Sequence, residues 1–285
     1  MADRLTQLTM RYMKAVQALV FIGGLIVLAL AALFVFRNGI ATGLWPWDDG
    51  RLSFIFVGSI LAAVCVAMLW IGWTGELGAL PGGAINVFII GASAAIYFFM
   101  LAFADGRTGL VPYGAVSAVI AIASAAGFWW SRRIPLRESS PTPLLVRVSF
   151  GIFAVALLLA GGALIFRLQI FPWTLNPDSS VIFGGIFLGD ASYFLYGLIR
   201  PRWHNALGQL LSFLAYDLVL IAPFLALTAT VASDHLISLI VYLAVLIYSG
   251  SLAIYYLFVN PQTRFGSGTR LRSRPQGSLQ EGAPS

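Results

Sequence analysis

Eight separate runs of roughly 20 apolar residues restrict this chain to one kind of architecture. Their approximate limits are 15–36, 53–73, 85–104, 111–130, 146–166, 181–199, 208–228 and 236–258. An α-helix rises about 1.5 Å per residue, so each run is long enough to cross roughly 30 Å of bilayer hydrocarbon. Inside that layer the backbone must satisfy its own hydrogen bonds, which leaves helices and closed barrels as the spanning structures. Barrel strands alternate in polarity over about ten residues, whereas these runs are continuous. The expected fold is therefore all-α, a polytopic membrane helical bundle with about eight transmembrane helices. Composition agrees, at 59% hydrophobic and 10% charged residues, against roughly 25% charged in soluble domains.

A net charge of +6 is explained by topology, without nucleic acid as a partner. With an even number of spans and a cytoplasmic N-terminus, 13 of the 17 basic residues fall on the cytoplasmic side. Arg37, Arg51, Arg107 and Arg167 fall outside, beside Asp48, Asp49, Asp105, Asp178 and Asp234. This is the positive-inside pattern, and it places both termini in the cytoplasm. The single cysteine, Cys65, lies within span two, so neither an intramolecular disulfide nor a cysteine metal cluster is available. The first run is too long for the apolar core of a signal peptide and is read as a true span.

The sequence carries an internal duplication. VFRNG (Val35 to Gly39) recurs as IFRLQ (Ile165 to Gln169), 130 residues later. Pro46, Trp47, Ser53, Gly58, Ile60, Leu69 and Gly82 recur as Pro172, Trp173, Ser179, Gly184, Ile186, Leu195 and Gly208, 126 residues later. A four-span unit returns the chain to its starting side, so the two copies form parallel repeats about an axis along the membrane normal. The expected organisation is a repeat at 1–130, a cytoplasmic linker at 131–145, a repeat at 146–259 and a disordered cytoplasmic tail at 260–285. Trp45, Trp47 and Trp173 lie in the paired Pro-Trp loops and read as interfacial anchors, because tryptophan favours the headgroup region.

The chemistry-bearing candidates are two intramembrane acids, Asp190 in FLGDASYFLYGL and Asp217 in FLAYDLVL. Each lies about ten residues from the end of its span, near the bilayer midplane. The short RPRWHNA connection makes their helices expected neighbours, which suggests a carboxylate pair. An ionised aspartate at that depth costs about 2.5 to 3.5 kcal/mol, so at least one is expected to carry a proton. Gly185, Gly189 and Ser192 form a small face suited to close helix approach. Tyr193 and Tyr216 are the expected hydrogen-bonding partners. A pair of this kind suits a proton or ligand site in a transporter, or a structural clamp between helices.

Gly189-Asp190 and Tyr216-Asp217 also look like fragments of the intramembrane aspartyl proteases. That resemblance fails, because Tyr-Asp follows Gly-Asp here, Phe187 stands where the motif has its first glycine, and no Pro-Ala-Leu follows. No catalytic residue is assigned. His204 and His235 fall at opposite membrane faces and cannot share a metal; each reads as a surface or interfacial histidine. Asp48 and Asp49 are adjacent loop acids with little power to hold a cation, and Asn86, near the start of span three, either caps that helix or lines a cavity, capping being the preferred reading. No phosphate-binding loop or hydrolase motif occurs.

With its WPWDD and FPWTLNPDSSVIFGGIFLGDASYF segments, the chain resembles uncharacterised bacterial multi-pass membrane proteins that carry Trp-Pro-Trp or Phe-Pro-Trp loops before a glycine-rich helix. The likeness covers mainly residues 44–70 and 170–225, implies a bacterial inner-membrane location, and brings no activity and no known cofactor. The sequence supports a non-enzymatic, transporter-like or small-ligand-binding membrane protein. Its partners are the lipid bilayer and a small solute or apolar ligand. The alternative is an accessory or scaffold subunit of a larger membrane complex.

Overall fold

The computed structural model describes residues 2–138 and 140–265, with side chains from Arg11 onward. It consists of α1 (Ala2–Val35), α2 (Gly39–Gly43), α3 (Arg51–Thr74), α4 (Leu80–Phe103), α5 (Val111–Ser131), α6 (Leu144–Ile165), α7 (Pro177–Ile199), α8 (Trp203–Leu227) and α9 (Leu236–Ile254). Among the described residues no strand forms beyond one isolated bridge between Pro141 and Arg202. Eight of the helical segments are long and apolar enough to cross a membrane, and the fold is an all-α polytopic bundle. The expected tail at 260–285 falls mostly outside the described residues; its first part, through Phe265, turns back to donate a backbone hydrogen bond to Leu257 at 3.0 Å.

Local chemistry sets the helix ends. Pro81, Pro112 and Pro177 occupy first-turn positions, where a missing N–H costs nothing. The Asn176 side chain caps α7 by accepting the Asp178 N–H at 2.9 Å. Both α1 and α6 close with an arginine in the left-handed region, Arg37 at φ 51° and Arg167 at φ 59°. At each end the N–H groups of two successive residues fold back, Asn38 to the Leu33 carbonyl and Leu168 to Ala163, a closure that satisfies carbonyls the helix leaves open.

The helices form two rows of four. In one row the neighbours run α1, α3, α8, α9; in the other they run α5, α4, α7, α6. Sequence-adjacent α3 and α4, and likewise α7 and α8, belong to different rows and meet only slightly. The first four spans therefore do not make a body of their own, since α3 packs on α8 and α4 on α7. Exposed side chains such as Leu19, Ile26, Ile122, Leu159 and Ile237 cover the outside of the flanking helices, as lipid contact requires.

Corresponding contacts recur at positions 126 or 130 residues apart. A Cβ on Gly58 would lie 2.6 Å from Val35 Cγ2 and 3.1 Å from the Ala31 carbonyl oxygen. A Cβ on Gly184 would lie 2.7 Å from Ile165 Cγ1 and 2.8 Å from the Gly161 carbonyl oxygen. Trp47 stacks on Phe98 with ring centroids 5.6 Å apart, and Trp173 meets Phe224 at 5.7 Å. Within each row, at the α4–α7 and α3–α8 contacts, Gly82 faces Tyr196 and Gly208 faces Trp70. Every one of these pairs maps onto the other by an offset of 126 or 130.

The Pro-Trp loops fold inward, contrary to the expectation of interfacial anchors. Trp47 and Trp173 are only 9% and 8% exposed, and Trp173 Nε1 donates to Ser53 at 3.1 Å. Trp45 is half-buried and donates to Asp49 at 2.7 Å. Asp49 is buried and also accepts from Ser179, so it ties the first loop to the start of α7. The physical reason lies in the aromatic material beneath. Phe56, Phe171, Phe183 and Phe187 pack with centroids 4.9 to 5.9 Å apart, and ring-on-ring burial outweighs a place among headgroups. The loops and these rings together plug one end of the space between the rows.

Candidate functional site

Behind the plug, the two rows line a partly open cavity of about 520 Å³ to which all eight spans contribute. That lies within the roughly 300 to 1,000 Å³ of sites for small organic ligands. Its wall is apolar apart from a few groups: Asn86, Ser124, Asp190, Tyr193, Ser212, Tyr216 and Tyr242. Among the described residues, no arginine, lysine or histidine lines it. Phe153, Phe194 and Phe213 make one continuous aromatic wall, with Phe194 and Phe213 stacked at 4.6 Å and Phe153 against Phe213 at 4.7 Å.

Asp190 reaches this cavity because of the small face in front of it. Gly189 lets α4 approach so closely that a Cβ there would lie 2.9 Å from the Asn86 backbone oxygen. Gly185 sits against Ser93 in the same contact. The approach brings Asn86 Nδ2 to donate to Asp190 Oδ1 at 2.9 Å. Asp190 Oδ2 makes no hydrogen bond among the described residues, and the side chain remains half-buried where it lines the cavity.

The expected pairing of Asp190 with Asp217 does not occur. Asp217 accepts from Ser249 of α9 at 3.0 Å, its Oδ2 lies over Gly250, and it is not part of the cavity wall. A short connection did not make α7 and α8 packing partners, because each lies in a separate row. Successive residues on a helix point about 100° apart, so Tyr216 faces the cavity while Asp217 faces α9. Tyr216 meets the Tyr242 hydroxyl at 3.2 Å, and the Tyr193 hydroxyl lies beside Ser212. Neither tyrosine is the partner of an aspartate that the sequence suggested. Asn86, expected to cap α4, lies in its second turn as the partner of Asp190. Only the polarity of asparagine within an apolar run could have signalled this.

His204 also differs from its expected surface position. It sits in the first turn of α8 with Nδ1 2.6 Å from Glu76 Oε2 and Nε2 3.2 Å from Glu138 Oε2. Glu76, only 2% exposed, further accepts the Arg137 backbone N–H at 3.1 Å. The linker is pinned again where the Thr142 N–H donates to the Pro201 carbonyl at 3.0 Å and the Trp203 N–H to that of Ser140 at 2.8 Å. At the plugged end, Asp178 accepts from Tyr97 and from Arg107, each at 2.7 Å, and lies 3.5 Å from Arg167. Among the described residues no cluster of histidine, cysteine and acids is arranged to hold a metal ion.

Compared with family models, with curated proteins and with solved structures, the chain matches none of them.

Proposed function

We propose that this chain is a non-enzymatic membrane protein that binds a mostly apolar small molecule between its two rows of helices and carries it across or within the bilayer. One observation supports this above the others: a ligand-sized cavity with an apolar wall and a hydrogen-bonded Asn86–Asp190 pair, set inside the membrane-spanning part of the bundle. Membrane chains accept a carboxylic acid at that depth mostly where it serves a solute or proton path. The recurring contacts support a reading as two parallel four-span repeats, 1–130 and 146–259, whose spans interleave. A two-fold arrangement that creates one central site between repeats is the usual plan of transporters. Arginine placement supports an orientation with the linker end in the cytoplasm, and the resemblance of the Pro-Trp segments to bacterial multi-pass proteins supports an inner-membrane location.

The test begins with a native mass spectrum of gently extracted protein, which reports bound small molecules and partner subunits together. Gly83 lines the cavity, and a Cβ there would meet nothing within 4 Å. Gly83→Trp therefore fills the cavity from a site that tolerates a side chain. The expected result is a bound molecule in the parent protein that disappears in folded Gly83→Trp. Stoichiometric protein partners, with an empty cavity in both, would favour an accessory subunit instead.

A further inference from the structure

Resting on the ligand-binding reading, we infer that the cavity selects lipophilic organic cations, such as bulky amines or quaternary onium ions. Asp190 presents a free oxygen to the cavity, and among the described residues the wall supplies no arginine, lysine or histidine to neutralise it. Its one direct partner is the neutral Asn86 amide. The other titratable groups on that wall are the phenols of Tyr193, Tyr216 and Tyr242, none of which offers a positive charge. A carboxylate held inside a low-dielectric bundle gains most from a cation that arrives with the ligand.

The rest of the wall suits the organic part of such an ion. Seven of its residues are aromatic: Phe153, Phe187, Tyr193, Phe194, Phe213, Tyr216 and Tyr242. Aromatic faces attract soft, weakly hydrated cations, and a desolvated contact is worth about 2 kcal/mol. A small metal ion would lose its hydration shell and find too few oxygen ligands. An anion would meet Asp190 and the negative ring faces without any basic partner. Size, apolarity, a single acid and aromatic walls thus favour one ligand class.

Tetraphenylphosphonium and tetraphenylborate have nearly the same shape and opposite charge, and triphenylphosphine oxide is a neutral relative. The experiment measures equilibrium binding of all three to the purified full-length protein in lipid nanodiscs, with empty nanodiscs subtracted. Tetraphenylphosphonium is expected to bind at least tenfold more tightly than the other two. Asp190→Asn is expected to remove that preference while binding of the neutral compound persists, and Asp190→Glu to restore part of it. Monodispersity and thermal midpoint establish that each variant is folded. Should Asp190→Asn fail to fold, Asp190→Glu and Gly83→Trp carry the comparison, with the cation preference reduced in the first and all saturable binding lost in the second. Equal binding of the cation and the anion would overturn the inference and leave the cavity as a ligand site. Absence of saturable binding by all three, together with an empty native mass spectrum, would overturn the ligand reading itself.

Discussion

Gly189→Ala is the substitution on which the site geometry makes its firmest prediction. The added methyl group would lie 2.5 Å from Ile90 Cγ1, 2.7 Å from Asn86 Oδ1 and 2.9 Å from the Asn86 backbone oxygen. Side chains can rotate away, but the backbone oxygen can retreat only if α4 and α7 separate. Overpacking of this kind costs about 1 to 3 kcal/mol. Against it stands the helix preference of alanine over glycine, roughly 0.8 to 1 kcal/mol. Separation also stretches the 2.9 Å bond from Asn86 to Asp190, and intramembrane hydrogen bonds average about 0.6 kcal/mol. The net expectation is a loss of about 1 to 2 kcal/mol, or roughly 2 to 8 °C in thermal midpoint for a chain of this size. Because membrane proteins often unfold irreversibly, the variants must be compared at one scan rate in one detergent. Gly83→Ala is the control, since it meets open space and should gain up to about 1 kcal/mol. If Gly189→Ala proved as stable as Gly83→Ala, the close approach of α4 and α7, and the placement of Asp190 that depends on it, would be refuted.

Other expectations test separate parts of the structure. Asp217→Asn should leave tetraphenylphosphonium binding unchanged within a factor of two, because Asp217 faces Ser249 and not the cavity; a tenfold loss would bring Asp217 back into the site. Glu76→Ala removes the partner of His204 and of the Arg137 N–H. Trypsin should then cut the linker after Arg132, Arg133 or Arg137 about tenfold faster, the factor that corresponds to about 1.4 kcal/mol of lost restraint. An unchanged cleavage rate would mean that the clasp does not hold the linker. Trp173→Phe keeps the ring packing but gives up the bond to Ser53, so a loss of about 1 kcal/mol is expected in detergent unfolding; no loss would argue against an inward-folded loop.

The reach of the sequence can be judged at particular residues. Fold class was legible because each span must satisfy its backbone alone, which demands a long apolar run whatever its neighbours are. The glycine face at Gly185 and Gly189 was legible for a similar reason, since small residues at helical spacing advertise close approach before the partner is known. Asp190 could be singled out because an acid in such a run is costly wherever the helix packs. Its partner could not. Asn86 lies 104 positions away, and nothing local to either residue encodes that contact.

The sequence by itself determined eight spans, the repeated Phe-Arg helix ends and Pro-Trp loops, and an acid at membrane depth, because these depend on length, polarity and spacing along one chain. Tertiary structure alone decided that α3 packs on α8 and α4 on α7, that the tryptophans turn inward, that His204 clasps two glutamates, and that Asp190 and Asp217 face different neighbours. Those outcomes follow from which helix surfaces fit one another when many are about equally apolar. Hydrophobicity places every span in the membrane, but it does not rank their partners; steric fit at glycines, aromatic stacking and a few buried hydrogen bonds do.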